Sequence, residues 1–288
     1  MSFTRRQFLS AGALAGLSLA QNEASRPSIF CAFVKFVQDL PDREMARELA
    51  RLGYLGIEAT IRRKGQVEPT EVEDGLPKLV EALQAEELEI TIMASDVNRA
   101  DDLVMEKTLR VAAALGVKRY RMAYYRYDLA KPLRTQLDNL RPQVRELAAL
   151  NKELGMQALY QNHAGAAYVG ASLWDLDALL DDIDPAQIAV GFDVRHATVE
   201  GGTTWKTSWH LVQPRLGAVY VKDFAWKDGK PSNVPLGEGQ VDPRFFTLAK
   251  KRADVPFTIH VEYLGKAGTP ENMAALGRDL GTAKRLLR

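Results

Sequence analysis

The chain has 288 residues, 46% of them hydrophobic, and its 38 lysines and arginines nearly balance its 37 aspartates and glutamates. This length fits one large α/β domain or two small ones, and such a fold needs no disulfide for stability. The formal net charge of +1 argues against bulk attraction to nucleic acid or an anionic membrane. The single cysteine, Cys31, excludes an internal disulfide, and its apolar neighbours predict a buried thiol.

Residues 1–27 have the layout of an export signal and a short linker. Arg5 and Arg6 precede a mild apolar stretch, and Ser18 and Ala20 are small residues placed for cleavage after position 20. Paired arginines are typical of the twin-arginine route, so we expect its export machinery as a partner and a periplasmic or otherwise exported protein. The apolar stretch is too short and too weak for a membrane span. A disordered basic tail is the alternative interpretation.

Strand-like and helix-like stretches then alternate eight times. The predicted strands cover residues 28–34, 54–60, 88–94, 117–123, 156–162, 187–194, 217–222 and 256–262. The predicted helices cover about 42–52, 70–86, 101–115, 132–154, 172–182, 203–212, 243–252 and 270–287. Thr70 and Glu73 have the spacing of a capping box, and Gly53 and Gly155 end the first and fourth helices. A loop rich in Gly, Pro and Lys spans 224–242.

This alternation predicts a single (β/α)8 TIM barrel over residues 28–288. Eight strand–helix units in about 260 residues match the size of that fold. Leu-Gly followed by an apolar residue recurs before several predicted strands, as expected where a helix ends and a strand follows directly. An open doubly wound sheet is the main alternative, but it usually shows a glycine-rich fingerprint after its first strand, and none is found.

Polar residues end or follow the last four predicted strands. In a parallel barrel all strand C-termini meet at one rim, so residues distant in sequence become neighbours there. The candidates for one shared pocket are Gln161, His163, Asp193, His196, Lys222, Asp223 and Glu262. Glu262 is the strongest candidate, because a carboxylate ending an apolar strand needs a partner. Lys222 could be that partner or could stabilise an enolate, whereas Asp223 is more typical of a turn cap.

The first half of the chain contributes weaker candidates. Side chains expected to contact substrate, or else to form ordinary rim interactions, are Lys35, Glu58 and Tyr124. From the second half, Arg195 could contact substrate or form an ordinary ion pair with Asp193. A tyrosine face can stack on a sugar ring or simply cover the barrel mouth. Arg62 and Arg63 follow the second strand and could meet a phosphate or carboxylate, although an exposed basic loop is the simpler interpretation.

Five segments then carry a family resemblance: GIEATIRRKGQVEP within 53–69, GFDVRHATVEGG at 191–202, VYVKDF at 219–224, PLGEGQVD at 235–242 and HVEYLG at 260–265. Together they resemble the sugar phosphate isomerase/epimerase family, which has the xylose-isomerase-like barrel and includes endonuclease IV as a distant member. The likeness covers nearly all of 28–288 and implies the superfamily without fixing a substrate. Typical members hold one divalent metal with Glu, Asp, His and Glu from the ends of strands five to eight.

Carried over by position, that ligand set falls on Gln161, Asp193, Tyr220 and Glu262, of which two match. A hard cation accepts an amide carbonyl, but a phenol is a poor ligand while its pKa stays near 10. The resemblance therefore leaves open one divalent ion (Mn, Mg or Zn) on Gln161, Asp193 and Glu262. A histidine from the neighbouring loops could supply the missing nitrogen, or Lys222 could replace the metal as the local positive charge.

The resemblance implies an enzyme that removes a proton next to a carbonyl of a carbohydrate or keto-sugar, giving isomerisation, epimerisation or elimination, and the signal at residues 1–27 predicts that it is exported. Glu262 would be ligand or base, His196 or His163 the acid/base, and Lys222 the electrophile. One alternative is a non-catalytic sugar-binding barrel with a degenerate metal site. Another is an abasic-site nuclease, against which four histidines and near-zero net charge argue. We expect a small carbohydrate ligand, no nucleic acid and no stable membrane insertion.

Overall fold

The computed structural model describes residues 28–288, so the export signal predicted for residues 1–27 lies outside the described residues. Eight parallel strands close into a barrel, in the ring order β1, β10, β7, β6, β5, β4, β3, β2. Every neighbouring pair is parallel, from β1 with β2 round to β10 with β1. This arrangement confirms the predicted (β/α)8 barrel and rules out the open sheet.

The barrel strands are β1 Phe30–Phe33, β2 Gly56–Ile61, β3 Glu89–Ser95, β4 Arg119–Arg121, β5 Gln157–Gln161, β6 Ile188–Asp193, β7 Leu216–Val221 and β10 Phe257–Ile259. An antiparallel hairpin, β8 Asp223–Lys227 and β9 Lys230–Val234, follows β7. The helices are α1 Asp42–Leu52, α2 Val72–Gln84, α3 Leu103–Ala114, α4 Leu133–Leu154, α5 Trp174–Leu179, α6 Val194–Gly201, α7 Trp205–Val212, α8 Arg244–Ala249 and α9 Thr269–Leu286. None of the helices in this described part combines the length and apolarity needed to cross a bilayer.

Two hydrophobic clusters hold the fold together. The larger lies between the strands and the surrounding helices. The smaller fills the barrel interior with Cys31, Ile92, Leu159, Ala189, Ala218 and Tyr220. Cys31 is fully buried, as predicted. The Tyr220 ring fits only because Gly191 has no side chain, since a Cβ at that position would lie 2.5 Å from the ring. The tyrosine at the expected imidazole position is thus a core residue of the barrel.

The structure corrects three local predictions. The capping box at Thr70 is wrong, because a 3-10 turn over Pro69–Glu71 takes up that residue and α2 begins after it without a side-chain cap. Helix α6 was not predicted, because Asp193 both ends β6 and caps the next helix by accepting the His196 N–H. The loop predicted for 224–242 contains the β8–β9 hairpin.

Asp223 fixes the position of this hairpin. Its carboxylate accepts the backbone N–H groups of Phe224, Gly237, Gly239 and Val241. Gly239 is required there, because a Cβ would collide with the Asp223 carboxylate. Asp223 therefore ties the segment after the hairpin back to the end of β7. It matches the predicted turn-capping role and does not point its oxygens into the pocket.

Candidate active site

Four side chains form a continuous chain of polar contacts at the C-terminal end of the barrel. Gln161 Nε2 donates to Asp193 Oδ2 at 2.7 Å. The Lys222 ammonium lies 3.1 Å from the same Asp193 oxygen and 3.0 Å from Glu262 Oε2. Gln161 and Asp193 end β5 and β6, and Lys222 directly follows β7. The parallel barrel thus brings together residues that are a hundred positions apart in sequence, as expected from the strand ends.

Lys222 is the central cation of this mouth layer. Its side chain is 5% exposed, whereas that of Asp193 is fully buried and that of Glu262 is 26% exposed. Burial alone would lower the pKa of Lys222, but the two carboxylates raise it above its ordinary value. Burial alone would raise the pKa of Glu262, but the ammonium lowers it well below the usual range. Lys222 and Glu262 are therefore both charged near neutral pH.

A second polar layer lies directly beneath the mouth. Arg121 Nε lies 2.8 Å from Glu58 Oε1. The other Glu58 oxygen accepts the Thr258 hydroxyl at 2.7 Å and lies 2.8 Å from His260 Nε2. Burial would raise the pKa of Glu58, but Arg121 and His260 lower it to about 2. Both oxygens of Glu58 are occupied, so the expectation that it contacts substrate does not fit its surroundings.

Arg121 connects the two layers and was missed by the sequence reasoning. Its Nη1 donates to Gln161 Oε1 at 2.9 Å, and the Tyr124 hydroxyl donates to the same oxygen at 2.8 Å. These two donors orient the Gln161 amide, so that its nitrogen points to Asp193. The signal for Arg121 was a charged residue inside the predicted strand 117–123, whose facing the sequence pattern did not reveal.

The donor set does not fit the divalent metal that the resemblance suggested. The amide oxygen of Gln161 already accepts two hydrogen bonds, and the Lys222 ammonium lies between the Asp193 and Glu262 carboxylates. The Tyr220 hydroxyl is buried in the barrel interior and has no hydrogen-bond partner among the residues that the structure describes. Among residues 28–288 no group of three His, Cys, Asp or Glu side chains is arranged to hold a metal. The positive charge of the mouth comes from a side chain.

Two histidines lie side by side at this mouth, with ring centroids 4.0 Å apart. His163 Nδ1 lies 2.8 Å from the Ala164 carbonyl oxygen, so it carries the hydrogen and leaves the Nε2 lone pair free. His196 Nδ1 lies 3.0 Å from Arg195 Nη1 and must accept, so its hydrogen is on Nε2. That buried Nε2 has no hydrogen-bond partner in the described part of the chain, and Asp193 Oδ2 is 3.6 Å away.

Both imidazoles are neutral near pH 7. Burial and then the nearby Lys222 ammonium lower the pKa of His196 well below its ordinary value. Burial likewise lowers the pKa of His163, despite the hydrogen bond to the Ala164 carbonyl. A neutral pair of opposite tautomers presents one acceptor and one donor. The mouth therefore offers a base at His163 and a hydrogen-bond donor at His196 beside the lysine.

The remaining candidates differ in their distance from this site. Tyr124 belongs to it, because its hydroxyl contacts Gln161 and its ring centroid lies 5.1 Å from that of His163. Arg195 is buried and contacts His196, with no ion-pair contact to Asp193. Lys35 is exposed, and its ammonium lies 5.2 Å from the ring centroid of Phe36.

A parallel (β/α)8 barrel with a polar site at its C-terminal mouth defines a broad class of enzymes. A family model described as a xylose isomerase-like TIM barrel matches residues 46–280, and the chain belongs to that family. This finding confirms the resemblance inferred from the sequence segments. No match was found among curated proteins.

Solved structures share the fold at low sequence identity. A structure described as a probable 3-DHS dehydratase involved in petrobactin synthesis, from Bacillus anthracis, is 14% identical with a TM-score of 0.68, over 89% of this chain and 98% of that one. A D-allulose 3-epimerase from Methylomonas sp., in complex with D-allulose, is 18% identical with a TM-score of 0.66, over 90% and 97%. A Mycobacterium smegmatis barrel protein of this type, in complex with magnesium, is 15% identical with a TM-score of 0.65, over 90% and 96%.

Replacing Glu58 with glutamine tests the buried layer. We expect Glu58→Gln to lower the free energy of unfolding at pH 7 by about 3 kcal/mol, because Arg121 loses its buried counter-charge. Since folding lowers the pKa of Glu58 from 4.5 to about 2, its carboxylate stabilises the fold above the unfolded-state pKa, and that stabilisation is lost on acidification. The deficit of the variant should therefore shrink as the pH falls below about 5, measured by urea unfolding.

The control is Glu81→Gln, which removes an exposed partner of Arg43. We expect this change to alter the free energy of unfolding by less than about 0.5 kcal/mol at any pH. A deficit in Glu58→Gln that stays constant with pH, or that only equals the control, would contradict the assignment of an ionised buried carboxylate.

Proposed function

We propose that this chain is an exported enzyme that removes a proton next to the carbonyl of a carbohydrate or keto-sugar. The observation that carries the proposal is the Lys222 ammonium, 3.1 Å from Asp193 and 3.0 Å from Glu262, beside a free histidine nitrogen. Enolisation needs a base and an electrophile that stabilises the developing oxyanion. Membership of a family with sugar epimerases and a dehydratase among its structural neighbours supports this reaction class.

Lys222 is the proposed electrophile. An ammonium has three hydrogens, and two of them suffice for Asp193 and Glu262, which leaves one for a substrate oxygen. The buried surroundings strengthen its attraction for an enolate oxygen relative to water. The His196 Nε2–H, which lacks an acceptor, is a second donor for that oxygen. A neutral imidazole can stabilise an oxyanion, because its N–H group donates a hydrogen bond without the ring being protonated.

His163 is the proposed base. Its Nε2 lone pair is free, because Nδ1 donates to the Ala164 carbonyl. Glu262 is better suited to holding Lys222, because the ion pair lowers the pKa of its carboxylate and weakens it as a proton acceptor. His196 then serves as a donor and not as the acid/base considered from the sequence. These assignments give the proton transfer to His163 and the stabilisation of the oxyanion to Lys222 and His196.

The single base favours some reactions over others. Epimerisation by a two-base route needs a proton acceptor on each face of the substrate carbon, and Gln161 cannot accept a proton in the way a carboxylate does. One base with a neighbouring electrophile suits isomerisation or elimination of a β-substituent. Isomerisation and elimination are therefore favoured over epimerisation.

A non-catalytic sugar-binding barrel is the second candidate. Gln161 and Tyr220, which stand where the resemblance expects a carboxylate and an imidazole, favour it. Such a protein would bind a sugar without exchanging any of its carbon-bound protons. A test that detects proton abstraction itself therefore distinguishes the two candidates.

Deuterium exchange provides this test without knowledge of the product. The protein is incubated in D2O with a panel of aldoses, ketoses and keto acids, and loss of the proton next to the carbonyl is followed by NMR. We expect exchange with at least one substrate, and we expect Lys222→Met and His163→Ala to slow it by about 100-fold or more each. Thermal unfolding is measured in parallel, and Lys222→Arg retains the charge if Lys222→Met folds poorly.

The matched control is Lys107→Met, which removes an exposed lysine of α3 that is paired with Glu73 and contacts none of the site residues. Its exchange rate should equal that of the wild type. Binding of sugars without any exchange would favour the non-catalytic barrel. Deuterium exchange at an unchanged rate in folded Lys222 variants would contradict the role of the ammonium as the electrophile.

Export is a separate part of the proposal and rests on the paired arginines at positions 5 and 6. In a bacterial host with a twin-arginine route, we expect the full chain in the periplasmic fraction. The double change Arg5→Lys and Arg6→Lys should leave it in the cytoplasm with its fold intact, as judged by fractionation and immunoblotting. Equal periplasmic amounts of both forms would contradict this route.

A further inference from the structure

Arg62 and Arg63 follow β2 but lie in different surroundings. The Arg63 side chain is 85% exposed, and its Nε lies 3.3 Å from Asp96 Oδ2. The Arg62 guanidinium instead lies over the ring of Phe33, with its Cζ 5.9 Å from the ring centroid. Phe33 ends β1, and its ring also lies 5.2 Å from the Cζ of Arg121. Arg62 is therefore turned inward, above the second polar layer, while its neighbour faces outward.

Arg62 has no counter-charge of its own in the described part of the chain. No carboxylate lies within ion-pair distance, and its side chain makes no hydrogen bond there. Partial burial and then the nearby Arg121 guanidinium lower its pKa. Glu58, the carboxylate beneath, is already shared between Arg121 and His260. A half-buried guanidinium beside another cation is unfavourable unless an anion compensates it.

The mouth as a whole also has more cationic than anionic side chains. The charged side chains of the two layers, together with the two further arginines beside them, are Arg62, Arg121, Arg195, Lys222, Glu58, Asp193 and Glu262. These are four cations against three carboxylates, with His163 and His196 neutral, so positive charge is in excess at the mouth. The anions present are already used by Lys222, Arg121 and His260.

The mouth also contains buried hydrogen-bond donors that have no partner in the described part of the chain. Nε2 of His196 and Nε of Arg195 are both buried and have no partner in residues 28–288. Arg195 directs its remaining nitrogens to neutral acceptors, His196 Nδ1 and the Pro231 carbonyl oxygen. Unused buried donors are costly, so a ligand rich in acceptor oxygens would complete the site.

We propose that the substrate carries a carboxylate, and that Arg62 binds it across the mouth from the Lys222 and His163 pair. This inference rests on the proposed function and narrows its substrate class to sugar acids and their keto derivatives. A guanidinium pairs with a carboxylate through two parallel hydrogen bonds, a geometry that an ammonium cannot match. The excess of positive charge at the mouth favours an anionic ligand over a neutral sugar. β2 and β6 lie on opposite sides of the ring, so Arg62 belongs to the side of the rim opposite Asp193.

Calorimetric titration tests this without turnover. The wild-type protein is titrated with a panel of uronic, aldonic and keto-aldonic acids, with their neutral parent sugars and with the corresponding sugar phosphates. We expect at least one acid to bind at least 10-fold more tightly than its parent sugar. Arg62→Gln should reduce affinity for that acid by about 10- to 100-fold, while its affinity for the neutral sugar stays unchanged.

The matched control is Arg63→Gln, which removes the adjacent exposed arginine and should leave both affinities unchanged. Neutral sugars that bind as well as their acids, no binding by any acid, or a preference intact in Arg62→Gln would each overturn the proposal. Tighter binding of a sugar phosphate would overturn the carboxylate assignment. Binding of an acid without deuterium exchange would support carboxylate binding by Arg62 but contradict the proposed enzymatic function. Exchange on neutral sugars alone would support the enzymatic function but contradict carboxylate binding by Arg62.

Discussion

The ion pairs of Lys222 with Asp193 and Glu262 are the interaction on which the rest of the site depends. Two carboxylates at the centre of a barrel mouth repel one another and lose hydration, so they require a cation between them. Here that cation is supplied by the chain itself, from the residue that follows β7. An ammonium of this kind is always present in the folded protein. Its position is set by the barrel and not by the supply of an ion.

The layer below explains why this arrangement is stable. Arg121 is paired with Glu58 and also donates to Gln161, which in turn donates to Asp193. The buried Arg121 guanidinium thus orients the Gln161 amide, and that amide in turn orients the Asp193 carboxylate that pairs with Lys222. A glutamate in place of Gln161 would add a third negative charge beside Asp193. The neutral Gln161 amide and the Lys222 ammonium therefore contribute to one charge balance. The amide in place of the expected carboxylate keeps the negative charge low enough for the lysine, in place of the expected metal, to compensate.

Much of this could be predicted from the sequence, because strand ends in a parallel barrel converge whatever their spacing. Gln161, Asp193, Lys222 and Glu262 were found in that way, with the barrel itself. Arg121 could not be placed, because β4 has only three residues and too little alternation to show which side faces inward. The two histidine tautomers depend on the Ala164 carbonyl and the Arg195 guanidinium, which only the folded chain brings into position. Helix α6 and the β8–β9 hairpin were hidden for a similar reason, since Asp193 ends β6 and caps α6, while Asp223 begins β8 and binds the segment after the hairpin.

The direct test of the central claim is a crystal structure of the protein soaked in manganese, with data collected to record anomalous scattering. The account predicts density for the Lys222 side chain between Asp193 and Glu262, with no manganese peak at that position. A strong anomalous peak bound by Asp193, Glu262 and Gln161, with the lysine displaced, would contradict it.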